Sequence, residues 1–184
     1  MDAPFITVSK PEVAERQIVQ ACLLFFERRD PVSIHTLTAA AHTVLRDVGK
    51  EDGVKSILKD LMPIRAEMQS EWTRLINEAQ NFFKHADRDP DATFDFYFEG
   101  TQFLLLDAIE MLFLVQRSLP REAFMFRLWV YMRYPDFFQD AYLRELHEGF
   151  ARMVGPSIDD FGSILEALRS PMTPPRFPVQ ATRS

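Results

Sequence analysis

The chain has 184 residues, and its hydrophobic fraction of 47% and charged fraction of 26% are typical of a globular domain with a sizeable core. Its net charge of −6 argues against a broad electrostatic surface for nucleic acid. The single cysteine, Cys22, excludes an internal disulfide and is expected in the core. Residues 1–8 lack the pattern of a secretory signal, and no apolar run reaches the about 20 residues that cross a bilayer. We therefore expect a cytoplasmic protein without a membrane span.

Capping residues define the first two helices. Ser9 and Glu12 form the pattern of a capping box, and apolar residues at steps of three and four follow it. Asp30 and Pro31 then close the first helix and start a second, predicted over 31–48. This second helix is apolar on most sides and is expected to be central. The face of this helix that departs from the apolar pattern carries His35, His42 and Arg46.

The middle of the chain combines a linker, a long helix and an aromatic cluster. Residues 50–62 are predicted as a linker with a short helix. A long amphipathic helix is predicted over 64–86, and its apolar side is expected to lie in the core. A polar turn over 87–95 follows. The aromatic cluster expected to pack under this turn consists of Phe94, Phe96, Tyr97 and Phe98.

The second half of the chain is also helical by its periodicity. Further helices are predicted over 100–118, 121–133, 137–154 and 157–168. The first of them is apolar nearly all round and is expected to be buried. The sequence therefore predicts an all-α, single-domain helical bundle of about seven to eight helices over residues 1–169. A proline-rich tail, 170–184, follows it.

Two carboxylates are predicted within the most apolar helix. Asp107 and Glu110 lie three residues apart and so share a side of that helix. Buried carboxylates need cations or hydrogen-bond donors, because their desolvation is costly. The natural partners are His35, His42 and Arg46 of the second helix. Two readings remain open: a structural ion-pair network in the core or at a dimer interface, and a binding pocket with shifted pKa values.

Metal binding is the second alternative function. His35 and His42 are seven residues apart, about 10.5 Å along a helix, whereas two zinc ligands from one helix are typically four apart. A site formed by either histidine with Asp107 and Glu110 would need three helices and has no support from spacing. No metal or other cofactor is predicted. Nucleophile-elbow and phosphate-loop motifs are absent, which argues against a hydrolase triad and a nucleotide-binding α/β fold.

The sequence Q-N-F-F-K-H at residues 80–85 resembles the R-N-x-x-x-H signature of the HEPN superfamily (higher eukaryotes and prokaryotes nucleotide-binding). Asn81 and His85 occupy the matching positions, whereas Gln80 replaces the arginine. The resemblance covers about residues 10–120. It implies an all-α domain of a kind that often dimerises and includes many metal-independent ribonucleases. The whole chain also resembles a group of uncharacterised bacterial proteins, which supplies no chemistry.

The resemblance assigns roles to three residues if the chain is a ribonuclease. His85 would act as general base or acid on a ribose 2′-hydroxyl, Asn81 would position the phosphate, and Lys84 would supply a cation. Since the arginine is missing, we favour a non-enzymatic dimeric binding or interaction module. The partners expected are a second copy of the chain and a protein or small ligand, with RNA not favoured. The homodimer is expected through the polar face of the long helix or the histidine face of the second helix.

Overall fold

The computed structural model describes residues 5–61, 65–85, 87, 89–137 and 157–170. These residues form an all-α fold without a strand, as predicted. Their α-helices are α1 (Lys10–Phe26), α2 (Pro31–Val48), α3 (Gln69–Lys84), α4 (Glu99–Gln116), α5 (Arg121–Arg133) and α6 (Phe161–Arg169). A π-helical turn, Ile57–Leu61, and two 3-10 turns, Ala66–Met68 and Pro135–Phe137, lie between them.

The helices α1 and α2 form a hairpin that follows from their capping residues. The amide of Glu12 donates to Ser9 Oγ at 3.3 Å, and the Glu12 carboxylate accepts from the Ser9 amide at 2.8 Å. The Asp30 carboxylate accepts from the Ser33 amide at 2.8 Å and so caps α2. At the corner, Arg28 adopts a φ of 54°, which turns the chain sharply. Both predicted helix starts are confirmed.

The core lies where α4 and α5 cross the α1–α2 hairpin. α4 is buried along most of its length, as its uniformly apolar sequence predicts. Cys22 is fully buried, which confirms its assignment to the core. The largest fully buried side chains include Phe26, Ile34, Leu45, Leu105, Ile109, Met111, Leu112, Met125 and Phe126.

The position of α3 differs from the prediction. The long helix expected over 64–86 is a 3-10 turn followed by α3, and none of the residues of α3 is buried. Met68 and Leu75, expected in the core, are 50% and 51% exposed. α3 lies on the surface, where its apolar side covers part of the linker and of the segment before α4. The periodicity correctly predicted which side of α3 faces the protein. The prediction that this side is buried in the core was wrong.

The later helices follow their predictions with small shifts. The helix expected over 121–133 is observed with those bounds as α5. The last helix begins later than expected, because the Asp160 carboxylate accepts from the Ser163 amide at 3.0 Å and caps α6. Beyond residue 137, the helix expected over 137–154 lies outside the described residues, and so does the tail after residue 170. Within the described part of the chain, no helix is long and apolar enough to span a membrane.

Candidate functional site

The carboxylate of Asp107 reaches from α4 toward α2 and the linker, and the residue is only 3% exposed. It accepts hydrogen bonds from His42 Nε2 at 2.9 Å, from Ser56 Oγ at 2.5 Å and from the Ile57 amide at 2.8 Å. Burial alone would raise the pKa of Asp107, but the hydrogen bonds from His42 and Ser56 outweigh it and hold the pKa below its usual range. By accepting from the Ile57 amide, the carboxylate caps the start of the π-helical turn, although Asp107 lies 50 residues away in the sequence.

Asp107, His42 and Ser56, called the Asp107 cluster below, do not have the geometry of a catalytic triad. In a triad the serine and the carboxylate bond to opposite nitrogens of the imidazole. Here both lie on one nitrogen, because Ser56 Oγ is 3.3 Å from His42 Nε2. Ser56 Oγ also accepts from the Lys59 amide at 2.9 Å. Both His42 and Ser56 are fully buried. The cluster is a structural clasp for the linker.

Arg46 holds the same linker from the surface. Its guanidinium binds the Asp60 carboxylate with two nitrogens, the shorter contact being 2.5 Å. The other Asp60 oxygen accepts from the Ser56 amide at 3.0 Å. Arg46 therefore pairs with an acid of the linker and not with Asp107, its expected partner.

Glu110 is separated from the Asp107 cluster, and its predicted partners are wrong. Its Oε1 lies 2.6 Å from Arg127 Nε and accepts from the Tyr131 hydroxyl at 2.8 Å. Residues three apart on a helix differ by about 60° around its axis. That rotation directs Asp107 toward α2 and Glu110 toward α5. The expected grouping of both acids with the residues of α2 therefore does not form.

The metal-binding alternative required one of the two histidines to meet both acids. The structure brings His42 and Asp107 together, whereas His35 and Glu110 have other partners. Within the described ranges, no group of three or more histidine, cysteine, aspartate or glutamate side chains is placed to hold a metal ion.

His35 occupies a separate buried position. Its Nδ1 lies 2.9 Å from the hydroxyl of Thr101, at the start of α4, while its Nε2 is buried with no hydrogen-bond partner. Burial, followed by the charge of Lys59, lowers the pKa of His35 to about 4, so the imidazole is neutral near pH 7. The rings of Phe83 and Phe96 stand nearly perpendicular to it, with centroids at 5.5 and 5.2 Å.

An apolar groove of about 540 Å³ lies between α3 and the segment that leads into α4. His35 and Thr101 belong to its lining, and Gly100 leaves open space there, because a Cβ atom added to it would meet nothing within 4 Å. Tyr97, expected inside the aromatic cluster, is instead 80% exposed beside the groove, whereas the ring of Phe96 packs against that of Phe98. The apolar lining includes Leu58, Trp72, Leu75, Ile76, Phe94, Phe96, Phe103 and Leu104.

The residues of the HEPN-like motif lie at the surface. Asn81 and Lys84 are exposed near the end of α3. His85 follows the last turn with its side chain 58% exposed, and its Nδ1 is 3.9 Å from the Asp87 carboxylate. None of the three lines the apolar groove. Their proposed roles in RNA cleavage stay predictions.

Of the two surfaces expected to form a homodimer, one is covered within the chain and the other is exposed. The histidine face of α2 is covered inside the chain, because His35 bonds to Thr101 and His42 to Asp107. That route to a dimer is wrong. The polar face of α3 is exposed, with Arg74 paired to its helix neighbours. The homodimer itself stays a prediction, which light scattering by the purified chain tests.

Comparison of the chain with protein-family models, curated proteins and solved structures found no match in any of the three. By its described fold and site, this chain is an all-α protein with an apolar groove beside a buried, neutral histidine. The resemblance to the HEPN superfamily stays a prediction.

Sequence reasoning missed three contacts that build this region. Ser56 clasps the linker, Thr101 holds His35, and Trp72 Nε1 donates to the Leu58 carbonyl at 2.8 Å. A serine before a short predicted helix is a capping signal that identifies Ser56. The other two contacts join residues distant in the sequence, and no local pattern indicates them.

Proposed function

We propose that this chain is a non-enzymatic helical binding module whose apolar groove takes up a small, largely apolar molecule with one hydrogen-bonding group. The observation that carries this proposal is that His35, which lines the groove, has a buried Nε2 without a hydrogen-bond partner. The proposal extends the small-ligand role expected from the sequence and gives it a location.

The size and lining of the groove support a small-molecule ligand. Binding cavities for such ligands measure about 300 to 1,000 Å³ and are mostly apolar with a few polar groups. The groove, at about 540 Å³, falls within that range, and aromatic and aliphatic side chains dominate its lining. Leu75 is half exposed at its edge, so a ligand that covers this side chain gains hydrophobic stabilisation.

Among the polar residues that line the groove, His35 has a buried nitrogen without a partner. A buried nitrogen without a partner costs about 1 to 3 kcal/mol, and aromatic faces offer it only weak contacts. In the described part of the chain, Gln17 Oε1 and His42 Nδ1 are also buried and unpartnered, but neither residue lines the groove. A ligand hydroxyl or carbonyl that reaches His35 Nε2 would satisfy it. Because the imidazole is neutral, the site favours an uncharged group at this point.

The geometry of the polar residues supports a non-enzymatic role. The Asp107 cluster is buried and its carboxylate is satisfied by hydrogen bonds, so it offers no nucleophile or base to a substrate. In the groove, His35 has no titratable side chain within hydrogen-bond distance among the described residues. Glu78, which is paired with Arg74, and Asp95 also line the groove, but His35 has Thr101 as its hydrogen-bond partner. A neutral imidazole without a carboxylate partner suits recognition better than proton transfer.

Binding of 1-octanol and of 2-naphthol, measured by calorimetry, tests the proposal. Gly100→Phe fills the groove from a position where the added Cβ meets no atom, so the variant should fold and bind neither probe. Gly100→Ala is the matched control and should bind at least one probe as the wild type does. Thermal unfolding of each variant checks the fold. Failure of the wild type to bind either probe saturably, or undiminished binding by Gly100→Phe, would contradict the proposal.

Incubation of the protein with total RNA distinguishes the ribonuclease alternative from the proposed binding role. The proposal expects no cleavage that depends on His85, whose side chain is exposed and outside the groove. Cleavage by the wild type that His85→Ala abolishes would show that the exposed motif is catalytic and would overturn the non-enzymatic assignment.

A further inference from the structure

A second cavity, of about 520 Å³, opens beside the apolar groove, between the end of α2, the linker and the start of α3. We call it the basic cleft. Asp60 is the acidic residue in its lining. The cations in its lining are Arg46, Lys50, Lys55 and Lys59. The cleft therefore concentrates positive charge on a chain whose net charge is −6.

The charges within the cleft are only partly neutralised. Arg46 binds Asp60, and Lys50 pairs with Asp47 at 2.7 Å. Lys59 donates to the neutral Asn77 Oδ1 at 2.7 Å, and in the described ranges neither Lys55 nor Lys59 forms a salt bridge to a carboxylate. Burial, and then the charge of Arg46, lower the pKa of Lys59. An anion placed in the cleft would relieve this repulsion between cations.

The two cavities share a wall. Leu58 and Trp72 line both of them. The hydrogen bond from Trp72 Nε1 to the Leu58 carbonyl joins α3 to the linker at this wall. The apolar groove and the basic cleft therefore adjoin each other at Leu58 and Trp72. A single flexible molecule that extends past this shared wall can contact both cavities.

From this adjacency we infer that the two cavities form one amphipathic site for a free, monomeric anionic amphiphile. Its apolar part lies in the groove, and its carboxylate or phosphate head lies in the basic cleft. The inference rests on the proposed function for its apolar half. Charge complementarity identifies the ligand: the groove alone accepts a neutral molecule, whereas the unneutralised lysines of the cleft favour an anionic head.

The test compares octanoate with 1-octanol by calorimetry, at concentrations where both are monomeric. Octanoate should bind the wild type more tightly than 1-octanol, and added salt should weaken only octanoate binding. Lys55→Glu should weaken octanoate binding about tenfold or more and leave 1-octanol binding unchanged. From hexanoate to decanoate, affinity should rise about fourfold per methylene as the chain fills the groove.

Arg29→Glu provides the matched control for charge. Arg29 precedes α2, whereas Arg46 lies in its last turn, so the two ends are about 24 Å apart along the helix. That distance exceeds the Debye length of about 8 Å at physiological salt. The same change of charge at Arg29 should therefore leave octanoate binding unchanged, and an equal effect of both variants would overturn the inference.

The outcomes separate this inference from the proposed function. Binding of 1-octanol that Gly100→Phe blocks would support the groove as a binding site. If octanoate then binds no more tightly than 1-octanol, and Lys55→Glu has no effect on it, the amphipathic site is contradicted. If neither probe binds, both fail. Sedimentation with phosphatidylglycerol vesicles tests a membrane as the source of the anion. Lysine-dependent sedimentation without octanoate binding would overturn the assignment to a free ligand.

Discussion

Asp107 and Glu110 show how two acids of one helix turn acquire different roles. Asp107 is enclosed by His42, Ser56 and the amides of the linker, and it fixes that linker against α2 and α4. Glu110 meets Arg127 where both side chains keep partial contact with water. The number of donors around each carboxylate and its access to water set the cost of removing its charge.

Asp107→Asn should lower the free energy of unfolding by about 3 kcal/mol, because the amide group would present hydrogens to the donors that now surround the carboxylate. Glu110→Gln, a matched change one turn away, should cost about 1 kcal/mol or less, since its ion pair is nearer the surface. Urea unfolding of both variants at pH 7 measures the difference. Equal losses would contradict the clasp assigned to Asp107.

His35 gives the fold a defined pH dependence. Its pKa in the folded protein is about 4, against 6.5 for an unperturbed histidine, so the unfolded chain binds the proton first. The stability that His35 contributes is therefore complete above about pH 6.5 and is lost as the pH falls toward 4. Lowering the pH from 7 to 5 should cost about 2 kcal/mol through this group.

His35→Asn removes the titration and keeps a group that can bond to Thr101. Urea unfolding at pH 7 and pH 5 should show a smaller loss of stability for this variant than for the wild type. Contributions from the other histidines are common to both proteins and cancel in the comparison. An identical pH dependence in the two proteins would refute the depressed pKa.

At the scale of elements, two glycines differ in how closely a neighbouring segment packs against them. A Cβ atom on Gly49, after the last turn of α2, would lie 2.6 Å from Val54 Cβ and 3.1 Å from the Leu45 carbonyl. The same atom on Gly100, in the first turn of α4, would meet nothing within 4 Å. The linker therefore returns against the end of α2 only because residue 49 lacks a side chain.

The same substitution should have opposite effects at these two positions. Gly49→Ala should lower the free energy of unfolding by about 2 kcal/mol, because Val54 must move. Gly100→Ala should raise it by about 0.5 kcal/mol, since alanine favours the helix and has space. Thermal unfolding of the pair measures both signs. Stabilisation by Gly49→Ala would contradict the close approach of the linker.

At the scale of the whole molecule, stability is divided unequally between a core and a peripheral helix. The core joins α1, α2, α4, α5 and α6, whereas α3 buries no residue and closes one side of the apolar groove. Elements with few buried side chains open at a lower free energy than the core. The wall of the proposed site is therefore expected to open more readily than the core helices.

Hydrogen exchange should reveal this division. Amides of α3 should exchange about tenfold or more faster than those of α4, because opening α3 leaves the core intact. A saturating ligand of the groove should slow exchange in α3 more than in α4. Exchange followed by mass spectrometry measures both effects. Equal protection of the two helices would show that α3 opens only with the whole domain.

The sequence by itself determined most of the helices and the starts of α1 and α2. Ser9, Asp30 and Pro31 specify their starts through contacts within four residues, and the apolar steps of α4 specify its burial. It also indicated that Asp107 would be buried with a partner on α2, which His42 confirms. Such features are local, or follow from the cost of burying a charge, so a single sequence expresses them.

Only the tertiary structure decided the rest. The depth of α3, the pairing of Glu110 with α5, and the meeting of His35 with Thr101 depend on how whole helices pack. The apolar groove and the basic cleft are spaces between elements, and residues from four parts of the chain line them. Periodicity gives the direction in which a side chain points. The neighbour that it meets depends on the packing of segments more than 50 residues away.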